Sequence, residues 1–297
     1  MKKIISLLLA VVCLLSLAAC GKDKGISIQS PNGFVSDTDS GSKPSSGKNQ
    51  KVEVAETVLY DDHGVKITAT GLDMDAFMGP ELKLTIENNS GQDLTFQARE
   101  VAVNGFLVDT IMSVDVVNGK IANDSLTFMD SSLEMCGIDT LAVLEFYFTI
   151  FDSDSWENYV DTEMITLTTS AANGAVQSPV HTGQVVYEAN DIKIVAKGLS
   201  EDADILGTSI VLYMENNSDS GIIVQTEDTS INGIMVEAIF SSELPAGKRT
   251  VDTITFLSSD LEENGITDVE NVELIFNIID ADSWYTIEDT DTIRLEF

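Results

Sequence analysis

The chain has 297 residues, with 49 Asp and Glu set against 16 Lys and Arg, for a formal net charge of −33. A field of that sign repels nucleic acid and anionic lipid headgroups, so neither is an expected partner. Three cysteines and two histidines leave little material for a disulfide framework, a paired-cysteine metal site or acid–base catalysis.

The chain opens on MKKIISLLLAVVCLLSLAAC. Two lysines precede an apolar run from Ile4 to Ala19 that is short for a bilayer span and ends in small residues, which is the pattern of an export signal over 1–19. Leu17-Ala18-Ala19-Cys20 resembles the lipobox of bacterial lipoproteins. That resemblance implies cleavage before Cys20, acylation of its thiol and anchoring at the extracellular face of the bacterial cell membrane. Cys13 is then lost with the signal and Cys136 stands alone in the mature chain, so no internal disulfide is expected. Cys136 reads as a small hydrophobic filler rather than a nucleophile. Residues 20–51 are rich in Ser, Gly, Lys, Asn and Asp without an apolar period, so a disordered tether is expected. Roughly thirty such residues reach on the order of 30 Å on average and about 100 Å when taut.

Beyond the tether the chain says the same things twice. VLYDDHGVKITATGL (58–72) returns as VVYEANDIKIVAKGL (185–199), and LTIENNS (84–90) as LYMENNS (212–218). VAVNG returns as TSING, LTFMDSSLE as ITFLSSDLE, and FTIFDSDSW (148–156) as FNIIDADSW (276–284). Each copy is long enough to bury a core of its own, so two globular domains are expected at 52–170 and 185–297, joined by a linker over 171–184.

In chain order the first copy predicts strands at about 52–60, 65–71, 81–88, 92–98, 101–103, 106–117, 121–129, 141–151 and 161–169. Leu82, Leu84 and Ile86 face one way and Lys83, Thr85 and Glu87 the other; Leu144, Phe146, Phe148 and Ile150 alternate likewise, as do Val272, Leu274, Phe276 and Ile278 in the second copy. DDHG, NNSG, Asn104-Gly105 and Asn118-Gly119 are tight-turn chemistries. A short helix is expected before the 141–151 strand, capped by Ser131 with Glu134 (Ser259 with Glu262) and stopped at Gly137 (Gly265). The fold class is therefore all-β, as two antiparallel sandwiches with strand numbers and spacing of the immunoglobulin-like kind.

Through ENNS, VNG/ING and DxDSW, both copies are similar to the telokin-like, immunoglobulin-like domains found in tandem in surface lipoproteins of Gram-positive bacteria. The resemblance implies a fold, a surface location and a scaffold or binding role, with a protein or cell-wall glycan as partner. Antibody domains differ in carrying an inter-sheet cysteine pair.

The functional expectation is a membrane-anchored binding or spacer module without catalysis. His63 falls in a predicted turn and His181 in the linker, so neither has a reaction partner, and no phosphate loop or nucleophile elbow is present. No cofactor is implied, with calcium as the exception to test. If 73–79 is a B–C loop and 152–156 an F–G loop, Asp73, Asp75, Asp152 and Asp154 converge at one pole, with Glu201, Asp202, Asp204, Asp280 and Asp282 at the equivalent pole of the second copy. The alternative function is then a calcium-responsive adhesion module; the competing structural role for these aspartates is to form Asx turns. Trp156 and Trp284 are expected to pack over the sandwich end, the other option being to stack on a sugar or a partner peptide.

Overall fold

A computed structural model describes residues 28–29, 52–173, 182–204 and 207–297, with side chains for all of these except 28–29 and 201–204. The expected signal, Cys20, most of the tether and residues 174–181 of the linker, His181 included, lie outside this set. Alternation decides the architecture within it. Every second residue of ELKLTIEN and VLEFYFTIFD is buried, the period of a strand that shows one face to a core.

In chain order the elements are β1 (Ile28–Gln29), β2 (Thr57–Asp62), β3 (Val65–Asp73), β4 (Glu81–Asn88), β5 (Leu94–Val103), β6 (Phe106–Leu107), β7 (Thr110–Ile111), β8 (Ser113–Val116), β9 (Lys120–Phe128), α1 (Asp130–Met135), β10 (Val143–Asp152), β11 (Asn158–Asp161) and β12 (Ile165–Thr168). The second half continues with β13 (Gln184–Ala189), β14 (Ile192–Asp204), β15 (Gly207–Asn216), β16 (Ile222–Ile231), β17 (Ile234–Met235), β18 (Ser241–Leu244), β19 (Arg249–Leu257), α2 (Ser258–Glu263), β20 (Asn271–Asp280), β21 (Thr286–Asp289) and β22 (Ile293–Glu296). The fold is all-β and sandwich-like. In the first half β2-β3-β4-β9 forms one layer, and β5, flanked by β8 and β10, forms the other; β10 also carries β11 and β12. Ile67, Leu82, Leu84 and Ile86 meet Phe96, Phe146, Phe148 and Ile150 between the layers. The second half repeats the pairings, with Ile194, Ile210 and Leu212 facing Val224, Leu274, Phe276 and Ile278.

Two repeated motifs prove to be staples. Asn88 is fully buried where the chain crosses between layers; its Nδ2 donates to the carbonyls of Gln92 (2.8 Å) and Val116 (2.7 Å), and its Oδ1 accepts from Ser90 N (3.0 Å) and Oγ (2.7 Å). Asn216 does the same with Ser220, Leu244 and Ser218. A buried amide so fully engaged holds the crossing at little desolvation cost. In the NG turns, Asn104 Oδ1 accepts from Ala142 N and Val143 N, and Asn232 Oδ1 from Glu270 N and Asn271 N, which ties each hairpin to the strand beside it.

Two local expectations are corrected. The helices form and stop at Gly137 and Gly265, both at positive φ, but no side chain caps them: the cap positions are Met129 and Leu257, and Ser131 and Ser259 are already inside the first turn. The chain enters each helix straight from a strand, and Ser132 Oγ instead accepts from Asp109 N at 2.9 Å, which ties the first helix to the β6–β7 segment. The tether expectation also gives way at one point, where Ile28 pairs with Ser200 and Gln29 with Leu199 on β14.

The halves meet at a junction that alternation alone does not announce. Phe106, at the tip of the β5–β6 hairpin, is buried under the Arg249 guanidinium (4.6 Å to the ring centre) and lies edge-on to Tyr213 at 6.3 Å. One parallel bridge joins Phe106 to Arg249, Arg249 Nη2 donates to the Asn104 carbonyl (3.3 Å), Thr250 Oγ1 donates to the Leu107 carbonyl (3.3 Å), and Lys248 pairs with Glu145 at 2.8 Å. Val195, Val211, Tyr213 and Val251, on the outer face of the second half's sheet, are thereby drawn into the first half's core.

Candidate functional site

The register fixes which loops can act together. Val65 pairs with Asn88 and Asp73 with Glu81 on one layer, while Leu94 pairs with Asp152 and Val103 with Leu144 on the other. Since 89–93 joins Asn88 to Leu94, the DSDSW loop lies at the Asn88 end, and the 74–80 hairpin lies at the opposite end with Asn104. Asp73 and Asp75 therefore do not meet Asp152 and Asp154. In the second half, Asp204 pairs with Gly207 at one end and Asp280 with Ile222 at the other, so Glu201, Asp202 and Asp204 stand on backbone remote from Asp280 and Asp282. The shared acidic pole is corrected. The reason is connectivity: 74–80 turns back within one sheet, whereas a B–C loop would cross between sheets. Among the described residues no three His, Cys, Asp or Glu side chains come together as a metal-holding group.

Asp73, Asp152 and Asp280 are occupied locally. Asp75 N donates to Asp73 Oδ1 at 3.1 Å. Asp152 Oδ1 accepts from Ser155 N (2.8 Å), Ser155 Oγ (2.9 Å) and Asp154 N (3.1 Å), and these bonds, those from Ser155 first, hold its carboxyl below the usual range. Asp280 is depressed in the same way, chiefly by Ser283. The function of D-x-D-S here is to close a turn.

What that turn presents is the tryptophan. Trp156 N donates to the Asp152 carbonyl and Trp284 N to that of Asp280, each at 2.9 Å, with the backbone left-handed at φ 62° and 61°. For a bulky residue that conformation costs on the order of 1 kcal/mol or more. The expectation that these rings close the core is overturned: Trp156 is 71% exposed and Trp284 69% exposed. Trp156 rests one face on Phe151 (5.1 Å, 22° between planes) and leaves the other open; Trp284 stands beside Tyr285 and Ile287, which are also exposed. A strained, exposed indole on a turn whose polar groups are satisfied is a planar apolar contact surface.

The remaining candidates are engaged in local structure. His63 shares a 2.7 Å hydrogen bond with the Tyr60 hydroxyl and stacks on its ring, and its carbonyl accepts from Tyr159 Oη at 2.8 Å, so it organises a turn. Cys136 is buried, and desolvation pushes its thiol up to about 11, which suppresses the thiolate.

Sequence reasoning passed over the junction, although a signal was present. At the positions of Val195, Val211, Tyr213 and Val251 the first copy carries Thr68, Lys83, Thr85 and Asn123, and Thr85 Oγ1 donates to Asn123 Oδ1 at 2.9 Å as on an ordinary wet sheet face. Apolar residues on both faces of one copy but not the other mark a covered sheet. No family model and no curated protein matches the chain.

Proposed function

We propose that the chain is an extracellular lipoprotein, held at the bacterial membrane through acylated Cys20, that presents two immunoglobulin-like sandwich domains as a non-catalytic binding module. The observation that carries this reading is the pair of exposed, conformationally strained tryptophans, Trp156 and Trp284, at equivalent turns of the two halves. A spacer has no use for an indole in solvent, whereas a contact surface for a polypeptide or wall glycan does.

Cross-linking on intact cells tests it. Discrete adducts that disappear with Trp156→Ala plus Trp284→Ala support capture through the rings; a pattern unchanged by the double substitution leaves only the spacer role. The anchor is checked separately with an alkyne-tagged fatty acid, whose incorporation should be lost in Cys20→Ser.

A further inference from the structure

The two halves present the same hairpin, but only one is seated. After Asn104-Gly105 the first half places Phe106 and Leu107, the former buried beneath Arg249 and the latter packed on the second half's core. After Asn232-Gly233, in the same left-handed turn (φ 52° and 78°, against 54° and 82°), the second half places Ile234 and Met235. These are 39% and 63% exposed, with Ile239 nearby at 47%.

We infer that this β16–β17 tip is a docking knob for a partner protein domain that offers an exposed β-sheet face bearing an apolar cluster beside paired basic side chains. The seat of the equivalent knob supplies the template: Val211, Tyr213 and Val251 under the hairpin, with Arg249 and Lys248 at its rim. Charge points the same way. Glu227 and Asp228 precede the tip on the second half's β16 and Glu237 follows β17, acid that a basic rim would match.

A second copy of this chain is not that partner. The apolar face of its second half is already covered, and the equivalent face of its first half is Thr68, Lys83, Thr85 and Asn123, with Ile121 where the seat has Arg249. Converting that face into a seat therefore provides the probe.

The full mature chain carrying Thr68→Val, Lys83→Val, Thr85→Tyr, Asn123→Val and Ile121→Arg is compared with wild type by sedimentation velocity at micromolar concentration. Wild type should run as a monomer. The grafted chain should shift to head-to-tail oligomers, and adding Ile234→Asp and Met235→Asp should abolish the shift. A grafted chain that stays monomeric while folded by circular dichroism overturns the inference, as does association that survives the tip substitutions. Wild-type association through the tip overturns the choice of partner. Should the fivefold graft not fold, Thr85→Tyr with Ile121→Arg alone gives the same readings.

Discussion

Asn88 shows how one side chain governs a crossing. Its amide satisfies two carbonyls and holds Ser90 in place from a fully buried position. Asn88→Ala leaves those carbonyls without their donor, and we expect a loss of about 3 kcal/mol in urea unfolding, with Asn216→Ala matching it in the second half. Asp109 works against the fold at neutral pH. Burial, and then the charge of Asp252, raise its carboxyl above the ordinary value, while across the junction burial lowers the pKa of Lys197. Between the ordinary and the raised value the folded chain holds more protons than the unfolded one, so stability falls as pH rises through that window. Asp109→Asn should raise the melting temperature near neutrality and flatten its pH dependence. For Asp152 and Asp280 the sign is opposite. Their depressed carboxyls add stability above the ordinary carboxylate pKa, and it is lost as pH falls through the lowered value.

At the scale of elements, equivalent residues have unequal consequences. Phe106→Ala empties a filled seat and should cost about 3–5 kcal/mol, whereas Ile234→Ala, on the same hairpin of the other half, should stay within about 0.5 kcal/mol; denaturant melts of the two variants decide. The strands themselves were legible. The strands expected at 81–88 and 141–151 fall within two residues of β4 and β10, and Asn104-Gly105 closes the β5–β6 hairpin, whereas Asn118-Gly119 lies between β8 and β9, which belong to different sheets. The placement of the loops was not legible. A period of two says which side of a strand is buried but is silent on whether the next strand joins the same sheet or the opposite one, and Asp73 was placed beside Asp152 for that reason. The helix caps failed for a related reason: S-x-x-E names a cap only where the chain enters through a turn, and here it enters from a strand.

For the whole molecule, the junction packs the two halves against each other. It stacks an aromatic pair, a cation over a ring and a half-buried ion pair around a single hairpin. Restoring the first half's residues at the seat, as Val211→Lys with Tyr213→Thr, should undo it while leaving the residues between the layers of each half in place. We expect small-angle scattering to show a larger radius of gyration, and calorimetry to resolve two transitions in place of one. The sequence carried this information in the contrast between its copies rather than in either copy alone, because a face becomes apolar only where something covers it.

Strand β1 has a bearing on orientation. Eight residue steps separate Cys20 from Ile28, a leash of about 28 Å at full stretch, and Ile28 is zipped to Ser200 on the second half. Under the proposed acylation of Cys20, this leash would hold the C-terminal half, rather than the N-terminal one, beside the headgroups. The proposed anchor would then bring the later of the two halves nearer the bilayer than the earlier one.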